Sequence, residues 1–264
     1  MSFLEKYGPW AVIAGASEGV GRSFALQLAE QGLSLVLLAL DGPLDEVAAE
    51  ARAKGVEVVT AKIDLSRPDA MDHIAEAAGD REVGLYVSVA GGDNNASRYL
   101  DHDVKAWVGL AHVNMITAMQ ACHYFGRRMR ARGRGGILIV NSGGCYGGGT
   151  FLVTYNASKA FLLNFAEGLW SELRPHGVDV LSIQLHITDT PNLRRILAKT
   201  GMPLPEEMAS PDDVAATALE RLPHGPLHNW GLADDDAGWA TSSAAVRRER
   251  VLGMEESAKK MYPA

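Results

Sequence analysis

The stretch Ala14-Gly15-Ala16-Ser17-Glu18-Gly19-Val20-Gly21 follows the apolar run Trp10 to Ala14 and leads into an amphipathic segment that stops at Gly32. A glycine-rich turn between a strand and a helix lets backbone approach a pyrophosphate, and the N–H groups and dipole at the helix start favour its negative charge. The spacing is G-x3-G-x-G with no terminal Lys-Ser/Thr, which argues against a P-loop nucleotidase. A tight turn that merely packs helix on strand is the plain alternative.

Outward from this turn, short apolar runs alternate with amphipathic stretches, the pattern of repeated strand-helix units around a parallel sheet. The expected strands are Trp10 to Ala14, Leu33 to Leu40, Val56 to Ala61, Val83 to Val89, Ile137 to Val140 and Val178 to Leu185. Several are apolar throughout, as a sheet covered on both faces requires. Helices are expected from Gly21 to Gln31, from Pro43, over about Val104 to Arg132, from Tyr155 to Leu173 and from Asp212 to Arg221. The implied class is α/β: a Rossmann-type doubly wound parallel sheet with helices on both faces, a three-layer α/β/α sandwich. Past Pro191 the pattern loosens through Gly201, Pro203 and Pro205, and a charged, helix-patterned tail over about 244–260 reads as a surface helix or a subunit contact.

With 264 residues, 47% hydrophobic and 22% charged, the chain suits one domain over 1–264 and excludes disorder or coiled coil as the main class. Glycine occurs 28 times, against roughly 18 expected at average usage. The surplus should mark turns and places of close backbone approach. A net charge of −7 argues against a nucleic-acid binder, and the arginines from Arg127 to Arg134 read as a solvated helix end. The run Leu35 to Leu40 is too short to span a bilayer, and Glu5 and Lys6 stand where a signal peptide needs apolar residues, so no membrane span and a cytoplasmic location are expected. Cys122 and Cys145 have no ligand spacing, and Gly225-Pro226 breaks any helix that would pair His224 with His228, so no metal site is expected.

The second strand ends Ala39-Leu40-Asp41, where an acidic side chain accepts from ribose hydroxyls and repels a 2′-phosphate. No arginine or lysine stands in that turn, and Glu18 adds a second negative charge. Both favour NAD. Asp41 equally reads as a loop carboxylate facing water, which keeps NADP as the minority reading.

Among seven tyrosines only Tyr155 has a lysine four residues later, Lys159, on the same helical face. A phenol is a poor base near neutrality, and a fixed ammonium nearby should lower its pKa. Thirteen residues before Tyr155 lies Ser142, just after the strand Ile137 to Val140.

With this Ser-x12-Tyr-x3-Lys set and the glycine turn, the chain resembles the short-chain dehydrogenases/reductases over about Tyr7 to Pro191. The resemblance implies hydride transfer between a nicotinamide cofactor and an alcohol or ketone. It implies Tyr155 as the acid/base, Lys159 as the residue that tunes it and binds the nicotinamide ribose, and Ser142 as a donor to the substrate carbonyl. Asn114 would hold a water for proton relay to Lys159. On the cofactor side it implies Gly15, Ser17, Glu18, Gly19, Val20 and Gly21 in the pyrophosphate and adenosine loop, and Asp64 and Leu65 against the adenine. Ala90 and Gly91 would form the turn after the fourth strand, with Thr188 and Thr190 contacting the carboxamide. A homodimer or homotetramer built on the long helices is also implied.

Two positions depart from the family pattern: Ser88-Val89 replaces Asn-Asn, and Leu185-His186 replaces Pro-Gly. His186 should either crowd the nicotinamide face or swing away beside the site. These departures support a competing reading, a non-catalytic dinucleotide-binding or redox-sensing protein. The opening Lys6 to Val12 resembles the branch of steroid and long-chain 3-oxoacyl reductases, which implies a bulky apolar ketone or alcohol. Phe151, Leu152, Val153 and Cys145 then fall where a substrate wall is expected, and 189–210 where a lid is expected.

Overall fold

A computed structural model of the chain describes residues 1–93 and 97–261. After a capping helix α1 (Phe3–Tyr7), β1 (Trp10–Ala14) passes through the glycine turn into α2 (Gly19–Glu30), and β2 (Ser34–Ala39) into α3 (Leu44–Arg52). Then come β3 (Val58–Lys62), α4 (Ala70–Ala78) and β4 (Val83–Ser88), followed by α5 (Val104–Ala111) and α6 (Ala118–Arg132). The second half runs β5 (Gly135–Ser142), α7 (Val153–Leu173), β6 (Val178–Leu185), α8 (Pro191–Thr200), α9 (Pro211–Arg221), β7 (Leu227–Asn229) and α10 (Ala244–Met261). The seven strands form one parallel sheet in the order β3-β2-β1-β4-β5-β6-β7.

The apolar strands are buried on both faces because successive side chains point to opposite sides. Ala11, Ile13, Leu35 and Leu37 pack with Phe24, Leu28 and Val214 under α2 and α9. Val12, Val36, Tyr86 and Ile139 pack with Phe125 and Leu162 under α6 and α7. The strand order reverses between β1 and β4, so the crevice beyond their C-terminal ends is where this topology places a ligand.

Four local differences bear on the site. Strand β5 runs two residues further at each end than its apolar stretch, which makes Ser142 its last residue. The expected helix over Val104 to Arg132 is interrupted by a π-helical stretch, His112–Thr117, and Asn114 sits inside it. The loose segment after Pro191 contains a regular helix, α8, capped by the Thr190 side chain accepting from Leu193 N–H. Strand β7, with only three residues, carried no alternation long enough to read. Among the described residues no helix is long and apolar enough to cross a membrane.

Candidate active site

A groove of about 960 Å³ opens at the C-terminal ends of β1, β4, β5 and β6. Its floor is built by backbone approach. A Cβ on Gly21 would lie 1.8 Å from the Gly15 carbonyl oxygen, so only glycine lets α2 start directly against β1. The turn after β4 is tied to β1 by Val89 and Ala90 N–H groups that both donate to the Ala14 carbonyl, at 2.9 and 2.8 Å. Glu18, the N-cap of α2, makes no side-chain bond to the first-turn N–H groups, which leaves the helix start to a ligand. The cradle therefore fits a dinucleotide pyrophosphate.

Gly15, Ser17, Glu18, Gly19, Val20, Asp41, Asp64 and Leu65 line one half of this groove. Ala90, Gly91, Ser142, Tyr155, Lys159, Thr188 and Thr190 line the other. Gly21 and Asn114 stand one layer behind, the first against Gly15 and the second against Gly91. Asp64 is held by Ser66, whose N–H and hydroxyl both donate to its Oδ1 at 2.9 and 2.6 Å. Asp41 is exposed at the rim.

Tyr155 and Lys159 lie on one face of α7, with Nζ 5.6 Å from the phenol ring centroid. Lys159 is buried, donates to the Val140 carbonyl at 3.2 Å, and has its pKa pulled down by desolvation to about 8. The Tyr155 phenol is raised above its ordinary value, chiefly by burial; hydrogen bonding with Ser142 works the other way, and the Asp93 charge adds to the rise. The expected lowering by Lys159 does not set the phenol's pKa here: burial dominates at Tyr155, and Lys159 has itself lost water. Ser142 Oγ accepts from Gly144 N–H at 3.2 Å, which leaves its hydroxyl proton to donate.

Asn114 Nδ2 donates to Ser158 Oγ at 2.8 Å, while its Oδ1 is buried with no protein donor among the described residues. A Cβ on Gly91, whose φ is +142°, would come 2.4 Å from Asn114 Oδ1 and 3.4 Å from Lys159 Nζ. Gly91 therefore lets the amide and the ammonium converge on one point.

The profile of the family described as short chain dehydrogenase matches residues 9–201. The chain belongs to that family, NAD(P)-linked oxidoreductases acting on CH–OH groups. This short-chain dehydrogenase is 30% identical over 226 residues to a 7beta-hydroxysteroid dehydrogenase of Mediterraneibacter gnavus, covering 84% of this chain and 86% of that one. It is 33% identical over 196 residues to a very-long-chain 3-oxoacyl-CoA reductase of Podospora anserina, covering 71% of this chain and 58% of that one. A solved 7beta-hydroxysteroid dehydrogenase structure superposes with a TM-score of 0.80 at 26% identity, covering 95% of this chain and 99% of that one.

In this short-chain dehydrogenase His186 is among the residues lining the groove, and its ring meets Trp239 edge-on, with centroids 4.3 Å apart. Trp239 also lies on Gly143, where a Cβ would come 2.7 Å from the indole. Nothing before residue 230 signals this partner, so the sequence left the histidine's direction open. Phe151, Leu152 and Val153 are exposed on the approach to α7, and Phe151 has a φ of +69°, a strained value for a bulky residue. Cys145 is not a wall residue: it is buried with Leu163, Leu227 and Ala244, and burial pushes its thiol up to about 12. Gly147 and Gly148 have open space where a Cβ would stand, so the glycine surplus marks only in part close approach.

The sequence reading missed Asn141 and one face of α8. Asn141 donates to the Lys159 carbonyl at 3.1 Å and accepts from Ser142 N–H at 2.9 Å, tying the two catalytic candidates together. Asn192, Arg195, Ile196 and Lys199 line the groove from α8, and their three- and four-residue spacing was the available signal. Arg195 donates to both carboxylate oxygens of Glu18, so the Glu18 charge that favoured NAD is paired.

Proposed function

We propose that the groove binds NAD(P) and that the protein interconverts a secondary alcohol and a ketone with Tyr155 as the acid/base. The observation that carries this reading is the convergence of Ser142, Tyr155, Lys159 and Asn114 beside a helix start free to take a pyrophosphate. Gly15, Ser17, Gly19, Val20 and Gly21 would hold the pyrophosphate, Asp41, Asp64 and Leu65 the adenosine, and Lys159, Thr188 and Thr190 the nicotinamide half. The cofactor, when bound, supplies or accepts the hydride. The Ser142 hydroxyl and the Tyr155 phenol donate to the substrate oxygen and stabilise alkoxide character in the reduction direction. The raised phenol pKa suits a group that is protonated before it donates. Lys159 and Asn114 provide the polar path by which the phenol is reprotonated.

The substrate we assign is bulky and apolar, as for a steroid or acyl ketone. Support comes from the relatives' activities and from Ile187, an exposed apolar residue in the groove lining. Segment 189–210, with α8 resting over the groove, serves as the lid that excludes water. The exposed Val108 and Met119 with the half-buried Phe161 and Phe165 give α5, α6 and α7 an apolar outer face suited to a dimer or tetramer.

Tyr155→Phe keeps the ring and removes the proton. It should abolish turnover of a ketone panel, followed at the reduced-nicotinamide absorbance, while tryptophan fluorescence still reports cofactor binding. Full activity in this variant would overturn the assignment. Tight binding with no turnover by the unmodified protein on any ketone or alcohol would favour the non-catalytic reading.

A further inference from the structure

The adenosine end of the groove carries two carboxylates, Glu18 and Asp41, and the turn after β2 offers no cation against them. One cation is held at this end from the opposite bank. Arg195 and Lys199 stand four residues apart on α8 and both line the groove. Arg195 spans to the glycine turn, where its Nη1 donates to Glu18 Oε2 at 2.9 Å and its Nη2 to the other oxygen. The charges of Glu18 and, more weakly, Asp41 both act on the guanidinium. The adjacent Arg194 is turned away, held by Asp189 through bonds of 2.5 and 2.7 Å. Helix α8 is seated for this reach: the Thr190 methyl lies against Gly19, and Asn192 Nδ2 lies where a Cβ on Gly92 would be 3.0 Å away.

We propose that Arg195, seconded by Lys199, gives the adenosine corner a site for a 2′-phosphate, so that the lid helix and not the turn after β2 sets the choice between NADP and NAD. This rests on the nucleotide-binding reading above. With α8 in place, Arg195 faces both carboxylates, and the like-charge barrier to a phosphate read from Glu18 and Asp41 alone is reduced. The Glu18 pair is partly open to solvent, with the Arg195 side chain 61% exposed, so it holds little free energy and its guanidinium can change partners. A phosphate dianion offers the same fork geometry with more charge. Lys199 adds a second cation without that geometry.

The test uses the full chain with two small probes, adenosine 2′,5′-bisphosphate and adenosine 5′-monophosphate, in titration calorimetry, alongside NADPH and NADH by tryptophan fluorescence. Arg195→Ala should weaken the bisphosphate and NADPH about tenfold while the monophosphate and NADH stay within about twofold. Glu18→Gln, which frees Arg195 and removes a like charge, should tighten the bisphosphate several-fold. In the unmodified protein the bisphosphate should also lose affinity with added salt more steeply than the monophosphate. Equal weakening of both probes by Arg195→Ala would reduce Arg195 to a lid-packing role, and no effect on either would remove it from the site; each result overturns the proposal while leaving nucleotide binding intact. Failure of the unmodified protein to bind any of the four nucleotides would overturn the nucleotide reading itself, and this inference with it.

Discussion

Replacing Lys159 by methionine should make the nucleotide-free protein more stable at pH 7. Desolvation pulls the buried ammonium to about 8, against 10.5 for the ordinary side chain, so the unfolded chain holds this proton more tightly than the folded one. Below pH 8 the folded protein keeps the charge in a dry site, and the penalty is present in full, on the order of 3 kcal/mol. As pH rises from about 8 to 10.5 the folded lysine gives up its proton first, so its contribution to stability improves through that window. Methionine removes the charge and fills similar space, but it also deletes the 3.2 Å bond from Nζ to the Val140 carbonyl, a loss of about 1 kcal/mol. The net gain at pH 7 is about 2 kcal/mol, which at roughly 0.5 kcal/mol/K of unfolding entropy for a chain of this length raises the Tm by about 4 °C. By about pH 9.5 the remaining penalty and the lost hydrogen bond are of similar size and the gain should vanish. Urea unfolding of both proteins, followed by tryptophan fluorescence and circular dichroism at several pH values from 7 to 9.5, measures this. A Lys159→Met protein that is less stable at pH 7, or whose advantage does not shrink with pH, would refute the reasoning. The same change should abolish turnover, since the destabilising charge belongs to the proposed chemistry.

Two further outcomes are expected. Arg247 of α10 and Glu167 of α7 form a bidentate pair at 2.6 and 3.0 Å with both side chains 8% exposed; Arg247→Ala strands the carboxylate and should cost about 3 kcal/mol in calorimetric unfolding, whereas the double change Glu167→Leu with Arg247→Met should recover most of it. Light scattering should give the mass of a dimer or tetramer, and a monomer at micromolar concentration would refute the docking role of the α5, α6 and α7 face.

How far the sequence reaches is clearest at three places. Tyr155 and Lys159 could be paired from spacing alone, because a helix of known pitch turns a separation of four into one face. The tail from Ala244 could be read as helical but not placed, and only the fold shows α10 lying on α7 through Arg247, with Ser171 and Arg174 on Glu255. His186 could be recognised as an anomaly, yet its direction depends on Trp239, more than fifty residues away, and no local pattern carries that contact.

Short-range spacing made the α/β class, the glycine turn, the family and the grouping of Ser142, Tyr155 and Lys159 legible from the sequence, because strands and helices convert such spacing directly into faces and turns. The electrostatics came from the packing of distant segments. Burial lifts the Tyr155 phenol against the sequence expectation and also lowers Lys159, and α8 carries Arg195 across the groove to Glu18, 177 residues away in the chain. Desolvation and ion pairing depend on what folds alongside a group, and in this protein those neighbours come from distant segments.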